Sequence, residues 1–329
     1  MIPVFLISDE NYVKYAAVTI KSVLSGTKEK INFYLLDGGI SAESKKVIAE
    51  IINATGNSVE FIPMDLSLFQ NFPNIAHFSI NTYFRYLIPA LKPDIHKALY
   101  IDTDMVIKGD ISYIYNTDME NYGIAAVPYI QEDLKLKDFS KYKQQLGISK
   151  KHLYFNAGLL LIDCDYWRKH QIGETLMAKT AELHDKLNMP DQDILNIVFN
   201  NNYKVLPQQY NIVVDLTVKY RNFNDYIKSL NGCIVFHYTG GTETRPWMKA
   251  GIPCQKFFWN IAKQTPFYDD LFKELLFNSL ARIERKNNRI IKRIKLFGVI
   301  PFLKICQNEH TTKVYIFDVI LLYTSKIKI

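Results

Sequence analysis

Cysteine is scarce and unpatterned. The four residues Cys164, Cys233, Cys254 and Cys306 stand apart, with no C-x-x-C spacing among them, which argues against both a disulfide framework and a thiolate zinc site. No apolar run approaches the ~20 residues that a spanning helix needs. The stretch Val4–Ile7 is too short for an export signal and has no basic segment ahead of it. Internal repeats and low-complexity tracts are also missing. A soluble, cytoplasmic globular protein is therefore expected.

Outside one stretch the chain has almost no net charge. Residues 282–304 carry eight Lys and Arg (Arg282, Arg285, Lys286, Arg289, Lys292, Arg293, Lys295, Lys304) against Glu284 alone, which accounts for the whole formal charge of +7. A nearly neutral body has no general affinity for polyanions, so nucleic-acid binding is not expected.

What the chain does have is apolar mass and order. Its 329 residues are 48% hydrophobic, enough for one large domain and an appendage. Val4–Ser8, Ile31–Leu36 and Val59–Ile62 predict strands, and Asn11–Ser25 and the run containing Val47, Ile48, Ile51 and Ile52, capped by Ser41, predict helices. This β-α-β-α-β opening implies a parallel sheet covered by helices, with ligands bound beyond the carboxyl ends of the strands. Further helices are predicted over Asn81–Ile88, stopped by Pro89, over Asp165–Leu187, and from Pro190 onward. Strands are predicted at Gly123–Val127, Leu159–Ile162 and Cys233–Phe236, and Gln131–Lys151 reads as a polar loop with a short helix and solvated lysines.

Within the apolar run Ala98–Ile107, Asp102 and Asp104 are out of place. Positions i and i+2 of an extended chain face the same side, so the two carboxylates would converge at the end of a strand. Like charges held that close favour a cation between them, and oxygen donors suit Mg²⁺ or Mn²⁺. Taken alone, an Asp-x-Asp is more often a turn cap.

The motifs Asp9-Glu-Asn-Tyr12, Thr82-Tyr-Phe-Arg85, Leu99-Tyr-Ile-Asp-Thr-Asp104, Phe155-Asn-Ala-Gly158, Asp191-Gln-Asp193 and His237-Tyr-x-Gly240 occur in one collinear order from Val4 to Trp247. In that order they resemble glycosyltransferase family 8, especially the bacterial enzymes that add galactose or glucose to lipopolysaccharide and related surface glycans. The resemblance implies an α/β, GT-A nucleotide-sugar transferase fold, a Rossmann-like mixed sheet flanked by helices. It also implies a UDP-hexose donor, Mn²⁺ (with Mg²⁺ as the alternative), a glycan or glycolipid acceptor and retention of anomeric configuration.

Carried over residue by residue, the resemblance implies Asp102, Asp104 and His237 as metal ligands, although a lone His after a strand is more often structural. An imidazole in the set favours Mn²⁺. Ile7, Asp9 and Asn11 fall where the family holds uracil and ribose; a helix-capping cluster is the plainer reading of Asp9 and Asn11. Thr82, Thr103 and Gly240 complete the implied donor-binding set. Arg245 falls where the family usually has a diphosphate-binding Lys, but two extra residues separate it from His237, and Lys249 is the alternative. Arg85, Asn156, Asp191 and Gln192 are implied to face the donor sugar. Arg85 would otherwise be a structural partner of a carboxylate, and the helix dipole alone explains an acid at position 191. Gln192 lacks the basicity of a carboxylate nucleophile, which points to front-face substitution over double displacement.

Two other classes compete. A metal-dependent nucleotide-sugar phosphohydrolase uses paired aspartates and a His, and a non-catalytic nucleotide-sugar-binding protein would need no Asp102, Asp104 and His237 together. Acceptor contacts are expected on the loops 129–152 and 212–226. The catalytic domain is expected over 1–278. Residues 279–329 are expected to form a basic, helical, amphipathic extension, with Leu280, Ile283, Ile290, Ile291, Ile294 and Phe297 on one arc, that holds the protein peripherally on an anionic membrane surface.

Overall fold

The computed structural model describes residues 1–73, 79–129, 136–214, 227–228, 232–241, 244–285, 290–296, 300–307, 311–316 and 320–326. The chain divides into two units, residues 1–213 with 228–237, and residues 214–227 with 238–329. Residues 238–278, expected within the first domain, thus group with the C-terminal part.

The first unit is built on a seven-stranded sheet. Its strands are β1 (Ile2–Ser8), β2 (Ile31–Asp37), β3 (Ser58–Pro63), β4 (Lys97–Ile101), β6 (Ile124–Pro128), β7 (Phe155–Asp163) and β8 (Lys204–Val205), in the order β3-β2-β1-β4-β7-β6-β8. β5 (Met105–Ile107), β9 (Ile212–Val213) and β10 (Val235–His237) form a second, small sheet. The first four strands of the large sheet are parallel, as the helices Val13–Gly26 and Ala42–Asn53 between them require, and β7 runs antiparallel to β4. Reversal at β7 brings its first residues to the same edge as the last residues of β1 and β4. Every residue of β1 is buried, and β7 is buried from Phe155 to Ile162, as strands covered on both faces should be.

Several expected elements form differently. Ile80–Leu87 is a 3₁₀ helix, and Pro89 lies inside the short α-helix Ile88–Leu91 that follows it instead of stopping a helix. The expected helix 165–187 breaks in two, Cys164–Lys169 and Ile172–Leu183, at Gln171, whose φ of 50° is left-handed. The helix Leu136–Gln145 includes Lys143, which is buried and donates to the carbonyl of His152, so this lysine is no solvated charge.

The second unit corrects the reading of the C-terminus. The helix Tyr268–Arg285 ends there, and β11 (Ile290–Leu296), β12 (Ile300–Gln307), β13 (Thr311–Ile316) and β14 (Ile320–Lys326) form an antiparallel meander. Of the expected amphipathic arc, Leu280 and Ile283 lie in that helix, Ile290, Ile291 and Ile294 lie in β11, and Phe297 lies outside the described residues. The three isoleucines in β11 are β-branched and suit a pleated surface. Ile305 of β12 pairs with Val314 of β13, and both are buried. Among the described residues no helix is long and apolar enough to cross a membrane.

Candidate functional site

The carboxyl edge of β4 is where the first unit concentrates its buried polar groups. β4 ends at Ile101 and β5 begins at Met105, so Asp102 and Asp104 lie on a turn between two strands, not in one extended strand. Thr19 of the first helix braces that turn: its hydroxyl lies 2.8 Å from the carbonyls of both Thr103 and Met105 and accepts from Met105 N–H. β10 pairs with β5, Met105 opposite His237, which carries the imidazole to the same spot.

The three groups meet closely. His237 Nε2 is 3.0 Å from Asp104 Oδ1 and 3.7 Å from Asp102 Oδ2, and ligand atoms of all three lie within 4.8 Å of one another. Ligands held at ~2.1 Å from an octahedral cation at right angles stand ~3 Å apart, so the set has the dimensions of a metal site. Nδ1 of His237 faces Asn211 Oδ1 at 3.2 Å. An amide oxygen only accepts, so Nδ1 carries a proton and Nε2 is the ring atom turned to the two carboxylates. That Nε2 is buried and has no hydrogen-bond partner among the described residues. Two carboxylates held this close to one another and to a ring nitrogen call for a positive charge between them. Gly158 leaves the room: a Cβ there would stand 2.3 Å from His237 Cε1 and 2.7 Å from Asp102 Oδ2.

Asp102 is held on one side only. Tyr100 Oη and Arg85 Nη2 both donate to its Oδ1, the latter at 3.2 Å, and this leaves Oδ2 on the cluster side. Arg85 itself is a hub. It pairs with Asp191 Oδ2 at 3.1 Å, donates to the Ala157 carbonyl at 2.7 Å, and lies 4.3 Å above the Tyr100 ring. Burial opposes its charge, but Asp191, Tyr100 and Asp102 outweigh this and raise its pKa. Burial also pushes the Asp191 carboxyl up, against the pull of Arg85; with a guanidinium 3.1 Å away we read the two as an ion pair.

The first turn of the helix Pro190–Val198 docks on the start of β7. Gln192 Oε1 accepts from Asn156 Nδ2 at 2.9 Å and from Ala157 N–H at 3.0 Å, and both side chains are buried. Asp193 turns inward and accepts from Tyr142 and Tyr154 hydroxyls and from the N–H groups of Asn188 and Met189.

The sequence-predicted residues thus fall into groups. Arg85, Thr82, Asp102, Thr103, Asp104, Asn156, Asp191, Gln192 and His237 are brought together in the first unit. Asp9 and Asn11 follow β1 on the same edge; Asp9 accepts from Tyr12 N–H and from Asn81 Nδ2, so it serves the helix entry, while Asn11 is exposed. Ile7 is buried in β1. Gly240 and Arg245 belong to the second unit, where Gly240 has φ 95° and the Arg245 guanidinium lies 6.0 Å from the Trp247 ring. Tyr100, Thr19 and Asn211 escaped sequence reasoning. Tyr100 and Thr19 read as core residues, and only the strand pairing of Ile212 with Phe236 brings Asn211 beside His237. Residues 130–135 and 215–226, within the expected acceptor loops, lie outside the described residues.

A family model described as glycosyl transferase family 8 matches residues 3–251. A Haemophilus influenzae protein assigned to the glycosyltransferases is 35% identical over 205 residues, and the match spans 62% of this chain and 61% of that relative. A lipopolysaccharide 1,2-glucosyltransferase of Escherichia coli is 25% identical over 275 residues, 81% of this chain and 79% of the other. The crystal structure of the galactosyltransferase LgtC with donor and acceptor sugar analogues superposes with a TM-score of 0.70 at 27% identity, covering 80% of this chain and 96% of that one.

Proposed function

The chain belongs to glycosyltransferase family 8, and from that premise we propose that it transfers galactose or glucose from a UDP-sugar to a surface-glycan or lipopolysaccharide-type acceptor, with retention and with Mn²⁺ at Asp102, Asp104 and His237. The observation that carries the reading is the buried Nε2 of His237 turned to two carboxylates. A divalent ion bound there would supply Lewis-acid neutralisation of the departing diphosphate.

The chain's own groups do the rest. Arg85, fixed by Thr82, Ala157, Asp102 and Asp191, keeps Asp102 turned so that Oδ2 is available, and it holds Asp191 ionised beside the helix start. Gln192, held through its oxygen by Asn156 and Ala157, and Asp191 flank the space assigned to the donor sugar. With Asp191 in an ion pair and Gln192 a neutral amide, neither is suited to form a covalent sugar adduct, which favours front-face substitution. Asp9, Asn11 and Ile7 would border the nucleoside. The peripheral membrane contact now rests on charge alone, since the amphipathic helix that suggested it is replaced by strands.

The test is a screen of UDP-sugars with the purified protein. Mn²⁺-dependent transfer to a lipopolysaccharide-type acceptor, abolished by EDTA and regained with Mn²⁺, is the expected result. Activity that survives full chelation removes the metal from the reading, and release of sugar to water alone, with no acceptor product, replaces transfer by hydrolysis.

A further inference from the structure

Asn211 is assigned no role by the motifs, yet it is 1% exposed and sits between the two halves of the site. Its Oδ1 accepts from His237 Nδ1 at 3.2 Å, and its Nδ2 donates to Asn156 Oδ1 at 2.8 Å. Asn156 in turn donates from Nδ2 to Gln192 Oε1 at 2.9 Å. Three side-chain amides therefore run head to tail from the candidate metal ligand to the residue beside the donor sugar. Gln192 Nε2 lies 3.4 Å from the hydroxyl of Tyr154, which donates to the buried carboxylate of Asp193.

The direction of this chain is fixed by the backbone. Gly158 N–H points at Asn156 at 3.0 Å and Ala157 N–H at Gln192 at 3.0 Å, and a backbone donor requires an oxygen opposite it. Asn156 therefore turns its oxygen, and Gln192 its oxygen, toward β7. Asn211 must then offer its NH₂ to Asn156, and its oxygen is left for His237. The imidazole therefore donates through Nδ1–H to Asn211, and Nε2 is the nitrogen left to face Asp102 and Asp104.

Resting on the metal reading above, we propose that Asn211 is a positioning residue that sets the tautomer of His237 and couples the cation site to Gln192. A partner that fixes the distal nitrogen of a metal-binding His commonly contributes about ten- to hundredfold in metal affinity. A cation at Nε2 makes Nδ1–H a stronger donor, and hydrogen bonds in a chain polarise one another in the same sense. Asp193, an anion at the far end, pulls in that same direction. Occupancy of the cation site thereby stiffens the amide beside the donor sugar through buried bonds alone.

Two isosteric variants separate the roles. Asn211→Leu removes both ends of the link, whereas Asn211→Asp keeps an acceptor for His237 and sets an oxygen against Asn156 Oδ1. Mn²⁺ binding followed by electron paramagnetic resonance should weaken about ten- to hundredfold in Asn211→Leu and stay at or above wild-type affinity in Asn211→Asp. Turnover should fall in Asn211→Asp even at saturating Mn²⁺. In the wild-type protein loaded with a diamagnetic divalent ion, ¹⁵N NMR of labelled histidine should find the His237 proton on Nδ1 and none on Nε2. Wild-type Mn²⁺ affinity in Asn211→Leu, or the Nε2–H tautomer in the wild type, overturns the proposal; if Asn211→Leu does not fold, the tautomer and the Asn211→Asp affinity decide it. A wild-type protein that binds no divalent ion removes the metal reading itself, and this proposal with it.

Discussion

Arg85 Nη1 and Asp191 Oδ2 stand 3.1 Å apart with 6% of each side chain exposed. A pair this buried is worth little over an apolar replacement, but breaking it strands a charge, at a cost of about 3–5 kcal/mol. Asp191→Leu should therefore destabilise by that order, and the double variant Arg85→Met with Asp191→Leu should cost less than the two single changes summed. Urea unfolding of the four proteins measures the coupling. Strict additivity would show that Arg85 draws its stability from its other partners, Thr82, Asp102, Ala157 and Tyr100.

The cation site gives the sharpest loss of function. Asp102→Ala, Asp104→Ala and His237→Ala should each lower transfer by about a hundredfold or more while the chain stays folded. Gly158→Ala should do the same without replacing a ligand, because its Cβ would press against His237 and Asp102. Circular dichroism and the transfer assay together check this, and a fully active Gly158→Ala would mean that the space is not used.

Much of this site is legible in the sequence because local pattern encodes it. Buried strands and helix-spaced apolar residues predict the β-α-β-α-β opening, and two acids interrupting an apolar run mark the edge where β4 ends. What pattern cannot supply is which distant segments become neighbours. Asn211 reads as a loop residue until β9 pairs with β10, and Tyr100 reads as core until its hydroxyl meets Asp102. The C-terminal strands are hidden for a different reason: Ile290-Ile-Lys-Arg-Ile294 has the i, i+1, i+4 spacing of a helical arc and breaks strand alternation, so periodicity points to a helix where β11 forms. The β-branched isoleucines, with Gly298 and Pro301 nearby, were the deciding signal.

His152 makes stability depend on pH. Burial lowers its pKa from the ordinary 6.5. Its Nε2 faces Asn196 Oδ1 at 2.8 Å, and its Nδ1 accepts from Asn201 N–H, so the second proton has no place. A base with a depressed folded pKa leaves the unfolded chain binding protons first. Stability is thus full above pH 6.5 and falls as pH drops from 6.5 toward the folded pKa, by up to about 1.4 kcal/mol per pH unit. Thermal unfolding between pH 7.5 and 5.5 should follow that slope and flatten in His152→Gln. An unchanged slope in the variant would assign the effect to other groups.

The basic C-terminal stretch should bind anionic vesicles through charge. Each base near such a surface contributes ~1 kcal/mol, and salt screens it. The full chain should co-sediment with phosphatidylserine-containing vesicles at low salt and be released at high salt. Lys292→Gln, Arg293→Gln and Lys295→Gln together should weaken binding by up to about a hundredfold with transfer to a soluble acceptor unchanged. Equal binding by the triple variant, or none by the wild type, refutes the membrane contact.

Stereochemistry tests the role given to Gln192. Its oxygen already accepts two hydrogen bonds, from Asn156 and Ala157, and Asp191 is committed to Arg85. A double displacement needs a free nucleophile below the sugar, and these partners occupy both candidates. Front-face substitution needs none, because the leaving phosphate takes the acceptor's proton on the face where the new bond forms. An α-linked UDP-hexose should therefore yield an α-linked product, read from the anomeric proton by NMR. Gln192→Ala should slow turnover about ten- to hundredfold without inverting the linkage, and mass spectrometry during turnover should find no glycosylated protein. A β-linked product would falsify retention, while a sugar adduct on Asp191 or Gln192 would keep retention and overturn the front-face route.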